Sequence, residues 1–126
     1  MEKTKFFKCE HCGNLVGMIH SSGINMVCCG DKMTELKPNT SDGAVEKHVP
    51  VIKKDGNNVT VEVGSVAHPM LPEHYIQWIY IEGKNGGQRR ALEPGMEPKA
   101  TFTLVNDELV SAYAYCNLHG LWKADA

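Results

Sequence analysis

Four cysteines near the N-terminus place the strongest constraint on how this chain can fold. They form the pattern Cys9-x-x-Cys12, followed after fifteen intervening residues by the adjacent pair Cys28-Cys29. Four thiolates are enough to close a tetrahedral metal site. A segment of about 37 residues buries too little apolar surface to fold on a hydrophobic core alone, so bound metal would supply much of its stability. We therefore predict a small four-cysteine metal domain over residues 1–37.

The adjacent cysteines place a demand on the backbone. Neighbouring residues of a strand point to opposite faces, so the chain must turn sharply between Cys28 and Cys29 for both to reach one ion, and Gly30 can relieve that turn. The spacing by itself leaves zinc and iron open, and an ordinary zinc ribbon would fit it. Because four thiolates complete the shell, His11 and His20 are expected to be bystanders.

Charge and cysteine count exclude some classes of protein. The formal net charge of −2 gives no case for nucleic acid or an anionic membrane as partner. No apolar run approaches the roughly 18 residues of a membrane span, and residues 1–8 lack the apolar core of a secretory signal, so we predict a cytoplasmic protein. Thiols stay reduced there, and an odd total of five cysteines fits a disulfide framework poorly.

A second domain is predicted over residues 38–126, beginning with a turn-rich linker at residues 38–43. Its pattern is one of short apolar strands broken by turns, with no helical period over a helical length. The predicted strands are 48–54, 58–66, 75–82, 88–92, 99–105 and 108–115. Such spacing favours an antiparallel β-sandwich, with Trp78 and Phe102 in its core.

Four histidines and the fifth cysteine all fall at strand ends or in loops of this second domain. They are His48, His68, His74, Cys116 and His119. Each histidine taken singly is more simply a surface or core residue, but ligands at strand ends can converge at one end of a sandwich, and together they predict a second metal site. Five ligands exceed the usual number for structural zinc. Four imidazoles in a plane with an axial thiolate would leave one position open, which suits iron that binds an oxygen species.

Several motifs carry a resemblance to a known family. They are C-x-x-C-G at 9–13, C-C at 28–29, E-K-H-V-P at 46–50, A-H-P-M at 67–70, H-Y-I-Q-W at 74–78 and C-N-L-H-G-L-W at 116–122. Over essentially its whole length the sequence resembles desulfoferrodoxin, the two-iron superoxide reductase of anaerobic and microaerophilic microbes.

This resemblance implies a mostly β protein: a desulforedoxin-like (rubredoxin-like) domain, then an immunoglobulin-like antiparallel β-sandwich. It implies two iron ions per chain. One would be bound by Cys9, Cys12, Cys28 and Cys29, and the other by equatorial His48, His68, His74 and His119 with axial Cys116. It also implies a homodimer that receives electrons from reduced rubredoxin.

The reaction implied is the one-electron reduction of superoxide to hydrogen peroxide without evolution of oxygen. By resemblance, Glu46 caps the ferric iron after turnover, and Lys47 attracts superoxide and orders the water that delivers a proton. Without the family, these two residues are more simply a solvated charge pair. The backbone N–H groups of Leu118 and His119 are expected to hydrogen-bond the Cys116 sulfur and limit its electron donation.

Other functions account for parts of the sequence. A non-enzymatic two-iron electron-transfer protein, the main alternative, explains the four cysteines but not a five-ligand site with an open position. A zinc-ribbon regulator would need a basic patch and has no use for four more histidines. A dismutase could use the same site, but it would evolve oxygen and need no electron donor.

Overall fold

The computed structural model describes residues 4–126, and these fall into two compact units that divide between Lys37 and Pro38. Every strand pair in the described part of the chain is antiparallel. The prediction of a mostly β protein is therefore confirmed. None of the helices among these residues has the length and apolarity needed to cross a membrane.

The N-terminal unit consists of five very short strands. These are β1 (Lys5–Lys8), β2 (Leu15–Met18), β3 (Val27–Cys28), β4 (Asp31–Lys32) and β5 (Thr34–Glu35). The first, second and fifth form a sheet in the order β2-β1-β5, and β3 pairs with β4 as a hairpin. Within residues 4–37 the buried hydrophobic side chains are Phe6 and Cys9. So small a core cannot hold the unit together without help from its cysteines.

The C-terminal unit contains seven strands and one helical turn. These are α1 (Val45–His48), β6 (Pro50–Asp55), β7 (Asn58–Val63), β8 (Ile76–Gly83), β9 (Gly87–Ala91), β10 (Lys99–Thr103), β11 (Leu109–Cys116) and β12 (Gly120–Asp125). They form a three-stranded sheet, β10-β7-β6, and a four-stranded sheet, β12-β11-β8-β9. This is the two-sheet sandwich that the sequence predicts.

Every second side chain along the strands points between the two sheets, and these side chains form the core. Val59, Val61 and Val63 of β7 are almost fully buried and pack with Phe102 and with apolar residues of β8 and β11. Phe102 thus lies where it was predicted. Trp78 is buried too, but it alternates away from the inter-sheet core and stacks on Tyr115, with ring centroids 5.6 Å apart.

Two local predictions were wrong. His48 does not open the first strand: it ends α1, and β6 begins only at Pro50. Val49 is extended because the ring of a following proline disfavours the helical conformation, and the helix therefore stops at one turn. Cys116 and His119 do not follow the last strand either, since Cys116 is the final residue of β11 and β12 comes after His119.

The strand register brings the predicted ligands to one end of the sandwich. Pro50 at the start of β6 pairs with Val63 at the end of β7, and Ile76 at the start of β8 pairs with Cys116 at the end of β11. The helical turn before β6, the long connection between β7 and β8, and the loop between β11 and β12 meet at one end of the sandwich, where His48, His68, His74, Cys116 and His119 cluster.

Candidate metal centres

The first cluster contains the four N-terminal cysteines. Their sulfur atoms all lie within 4.8 Å of one another, and none forms a disulfide. The Sγ atoms of Cys12 and Cys28 are 3.6 Å apart. The turn required between the adjacent cysteines is made by Cys29 itself, at φ 52°, with Gly30 following at φ 81°. A non-glycine residue in the left-handed conformation is unusual. At Cys29 this conformation turns the sulfur toward those of the other three cysteines.

The electrostatics of this cluster favour a cation. The backbone N–H of Cys12 is directed at the Cys9 sulfur and lowers the pKa of Cys9 to about 6. Hydrogen bonding to Cys12 and then to Cys9 raises the pKa of Cys29 to about 12. Four thiolates this close repel one another unless a positive ion lies between them, so the donor set fits a tetrahedral thiolate-bound metal.

Neither N-terminal histidine belongs to a cluster among the described residues. His11 Nε2 instead lies 2.5 Å from Asp31 Oδ2, and both side chains are exposed. His20 is also exposed. Both placements are consistent with the expectation that a complete shell of four sulfurs leaves no position for a histidine ligand.

The second cluster is a square of imidazoles beside a buried sulfur. Neighbouring ring centroids are 4.6 Å apart for His48–His68, 4.6 Å for His68–His74, 5.0 Å for His74–His119 and 4.8 Å for His48–His119. The diagonal from His48 to His74 is 6.5 Å. His48 therefore lies opposite His74, and His68 opposite His119. One donor atom from each ring and the Cys116 sulfur lie within 4.8 Å of one another.

The tautomers of two rings are determined by backbone carbonyls. The Nδ1 atom of His48 is 2.7 Å from the Ala44 carbonyl oxygen, and that of His68 is 2.7 Å from the Pro69 carbonyl oxygen. Each Nδ1 must carry the proton that it donates, so each Nε2 presents a lone pair. Burial lowers the pKa of His48 and lowers that of His68 to about 4, so burial favours the neutral form of each ring.

The rings of His74 and His119 each direct one nitrogen toward the same cluster of donor atoms. His74 Nε2 is buried and has no hydrogen-bond partner, which is costly unless a metal occupies its lone pair. His119 uses the other nitrogen: its Nδ1 is 3.1 Å from His48 Nε2 and 3.7 Å from Cys116 Sγ. The site thus offers three Nε2 donors, one Nδ1 donor and one sulfur.

Cys116 lies at the closed side of the site. Its side chain is fully buried, whereas His74 and His119 are partly exposed. Burial raises the pKa of the Cys116 thiol, and the backbone N–H groups of Leu118 and His119 lower it by hydrogen bonding to the sulfur. These are the two N–H groups expected from the sequence. The sulfur is therefore shielded from solvent, whereas solvent reaches the site at His74 and His119.

Trp122 supports two of the ligands, a role that the sequence analysis missed. Its ring stacks on His48 with centroids 4.9 Å apart, and its Nε1–H donates to the His119 carbonyl at 3.0 Å. Trp122 belongs to the motif C-N-L-H-G-L-W, but spacing gave no signal for this role because the contact with His48 spans more than seventy residues.

Glu46 and Lys47 lie on α1, directly before the ligand His48, and both are exposed. Burial is the largest influence on the pKa of His74, and the Lys47 charge contributes to lowering it. Glu46 acts in the opposite sense on His48, where burial again dominates. The turn is held close to the β7–β8 connection, since Val66 N and Ser65 Oγ donate to the Glu46 carbonyl.

The donor sets are those that the sequence predicts for two iron ions. A four-thiolate shell has no free position, which suits electron exchange. Four imidazoles with one thiolate, at a site where two of the rings are partly exposed to solvent, suit an iron that reacts with a small oxygen species.

Comparison with known proteins gives the same assignment. Residues 1–36 match the family model "Desulfoferrodoxin, N-terminal domain", and residues 40–125 match "Desulfoferrodoxin". The chain is 50% identical over 123 residues to a desulfoferrodoxin homolog of Archaeoglobus fulgidus, covering 98% of each sequence. It is also 50% identical over 122 residues to the desulfoferrodoxin of Nitratidesulfovibrio vulgaris, covering 97% of this chain and 96% of that protein.

A solved structure shows the same fold. The superoxide reductase of Treponema pallidum is 38% identical in sequence, superimposes with a TM-score of 0.83, and is matched over 98% of this chain and 100% of that one. With both family models matched in order and the two donor sets assembled, this chain belongs to the desulfoferrodoxin family.

Proposed function

We propose that this protein is a superoxide reductase, which adds one electron and two protons to superoxide and releases hydrogen peroxide. The observation that carries the proposal is the square of four imidazoles beside a fully buried cysteine sulfur, with two of the four rings partly exposed to solvent. Iron held by these five residues would supply the electron.

The protein's own residues shape how this site reacts. The Cys116 thiolate would donate electron density to an iron bound by these residues, which would favour release of the product. The N–H groups of Leu118 and His119 withdraw part of that density by hydrogen bonding to the sulfur. The carbonyls of Ala44 and Pro69 hold His48 and His68 in the tautomer that binds metal.

We assign the residues of α1 to substrate handling. Lys47 is exposed and its charge reaches His74, so it is suited to attract the superoxide anion and to order a water that delivers a proton. Glu46 is exposed beside it, and its carboxylate would be suited to cap the ferric iron after turnover. Both roles rest on family resemblance together with this placement.

The two units receive different roles in the proposal. Residues 1–37 form the four-cysteine electron-exchange domain, and residues 38–126 carry the catalytic site. We further propose a homodimer in the cytoplasm, with reduced rubredoxin or a similar small redox protein as the electron donor and a place in cellular electron transport. The absence of an open position in the first centre supports its role in electron exchange only.

The test is to load the protein with iron and follow superoxide after a pulse that generates it. A reductase supplied with a reductant yields one hydrogen peroxide per superoxide consumed and no oxygen. A dismutase yields half a molecule of oxygen and half a molecule of hydrogen peroxide per superoxide and needs no donor, so oxygen evolution in proportion to superoxide loss would overturn the proposal. An electron carrier would leave the lifetime of superoxide unchanged.

A further inference from the structure

Of the four imidazoles in the second cluster, His74 is the one whose ring makes no hydrogen bond in the described part of the chain. Among the described residues, the rings of His48 and His68 each hydrogen-bond a carbonyl, but no hydrogen bond reaches the ring of His74. His74 is held through its backbone instead. Its N–H donates to the Leu71 carbonyl at 3.0 Å, and its carbonyl accepts from Leu71 N at 2.9 Å. This closes the local loop but does not tie it to the other ligands.

Asn117 supplies that tie. Its Oδ1 accepts from the backbone N–H of Tyr75 at 2.9 Å, and its Nδ2 donates to the carbonyl of Glu73 at 3.0 Å. Its own backbone N–H donates to the Tyr75 carbonyl at 3.2 Å. The amide side chain therefore bonds the residue before His74 and the residue after it.

The position of Asn117 in the chain relates these hydrogen bonds to the metal site. It directly follows the sulfur ligand Cys116 and lies two residues before His119, so its side chain links the loop that carries two ligands to the segment that carries a third. His74 is also the ring opposite His48 in the square. Loosening its segment would lengthen one axis of the square and leave the other axis, from His68 to His119, anchored.

We propose that Asn117 is a positioning residue that holds His74 in the metal-binding square. Partners that orient metal ligands typically change metal affinity about 10–100-fold when they are removed, and we expect a loss in that range for Asn117→Ala. The inference rests on the proposed five-ligand metal site, but not on its reaction with superoxide.

The experiment measures metal binding rather than turnover. Zinc or cobalt is titrated into metal-free protein in competition with a chelator, and the affinities of the two centres are separated by the absorption of cobalt in each. The four-cysteine centre of the same molecule is the internal reference, and its affinity should not change in Asn117→Ala. Bound cobalt should also show a shifted thiolate-to-metal absorption, because the geometry around Cys116 changes when His74 moves.

Asn58→Ala is the matched control. Asn58 also bonds two segments through its side chain, with Oδ1 accepting from Thr103 Oγ1 at 3.0 Å, but it begins β7 at the opposite end of that strand from the site. The control should therefore keep full affinity at the five-ligand site.

The outcomes separate the inference from the proposed function. If wild-type protein binds no metal at the five-ligand site, the proposed function fails. If wild type and Asn117→Ala bind equally tightly, or if Asn58→Ala weakens the site as much as Asn117→Ala does, only the positioning role fails. Should the alanine variant not fold, Asn117→Leu nearly keeps the side-chain size, adds no charge and removes both side-chain hydrogen bonds. We expect weaker binding there too, and affinity equal to wild type would overturn the inference.

Discussion

The Nε2 lone pairs of His48 and His68 face each other, with the two nitrogen atoms 3.1 Å apart. The proton of each ring is on Nδ1, which donates it to a backbone carbonyl. Neither Nε2 carries a proton for the other to accept. The two buried rings are therefore arranged for a shared cation rather than for a hydrogen bond.

Metal binding should stabilise the C-terminal unit for this reason. A ligand at a hundred times its dissociation constant adds about 2.7 kcal/mol to the free energy of unfolding. We expect the thermal unfolding midpoint to fall when a strong chelator removes the metal and to recover when metal is restored. Both tryptophans, Trp78 and Trp122, lie in this unit, so their fluorescence reports its unfolding. His68→Ala should abolish the metal dependence, and an unfolding curve unaffected by the chelator would contradict the site.

Lys47→Ala should slow the association of superoxide by roughly tenfold at low ionic strength, because a positive charge near the open position attracts the anion. The difference from wild type should shrink as salt screens the charge. The measurement is the second-order rate after pulse radiolysis at several salt concentrations. Lys54→Ala is the control, since this exposed lysine lies near the far end of β6 from the site. Equal rates for Lys47→Ala and wild type at low and at high salt would rule out steering.

Cys116→Ser should remove the axial sulfur while nearly keeping the shape of a fully buried side chain. A serine hydroxyl does not ionise as a thiol does, so the electron donation from the buried side is lost. We expect the thiolate-to-metal absorption of this centre to disappear and reductase turnover to fall more than roughly tenfold, which corresponds to a barrier higher by at least 1.4 kcal/mol. Undiminished turnover would show that the sulfur has no part in the reaction.

Cys12→Ser tests whether the two centres are independent. The variant should lose the four-thiolate metal, because one of four ligands is gone. No residue is shared between the donor sets, so the rate with superoxide under a chemical reductant should stay within roughly twofold of wild type. Metal analysis and visible absorption identify which centre is lost. A large fall in the superoxide rate would mean that the first centre takes a direct part in catalysis.

Gly64→Ala should destabilise the turn that carries Glu46 and Lys47. A Cβ at Gly64 would lie 2.8 Å from the carbonyl oxygens of both Glu46 and Val49, and backbone cannot move aside as a flexible side chain does. We expect a loss of about 1–3 kcal/mol in the free energy of unfolding, measured by denaturant titration. Ser65→Ala, which removes only the exposed hydroxyl that bonds the Glu46 carbonyl, should cost much less. Similar losses in the free energy of unfolding for the two variants would show that the close approach of Gly64 to these carbonyl oxygens does not restrict the residue at this position.

The sequence predicted the sandwich and most of its strands because alternation is a local property. Asn58–Val63 shows the pattern clearly, with valines at every second position. It could not predict α1, which is a single turn and too short to show a period. It also missed β12, since Gly120–Asp125 is recognisable as a strand only through its pairing with β11.

The identities of the ligand residues follow from composition and spacing, but their supports do not. Trp122 reaches His48, and Asn117 reaches Glu73 and Tyr75, across long stretches of chain. Hydrogen bonds and ring contacts between such distant residues leave no periodic signal in the sequence.

The sequence by itself determined the donor chemistry: four thiolates for a closed centre, and four imidazoles with one thiolate for a centre with room for a substrate. Only the tertiary structure decided which rings lie opposite each other, which nitrogen of each ring faces the metal, and that Cys116 lies on the closed side. These properties depend on the strand register at one end of the sandwich, where segments far apart in sequence are held within a few ångströms of one another.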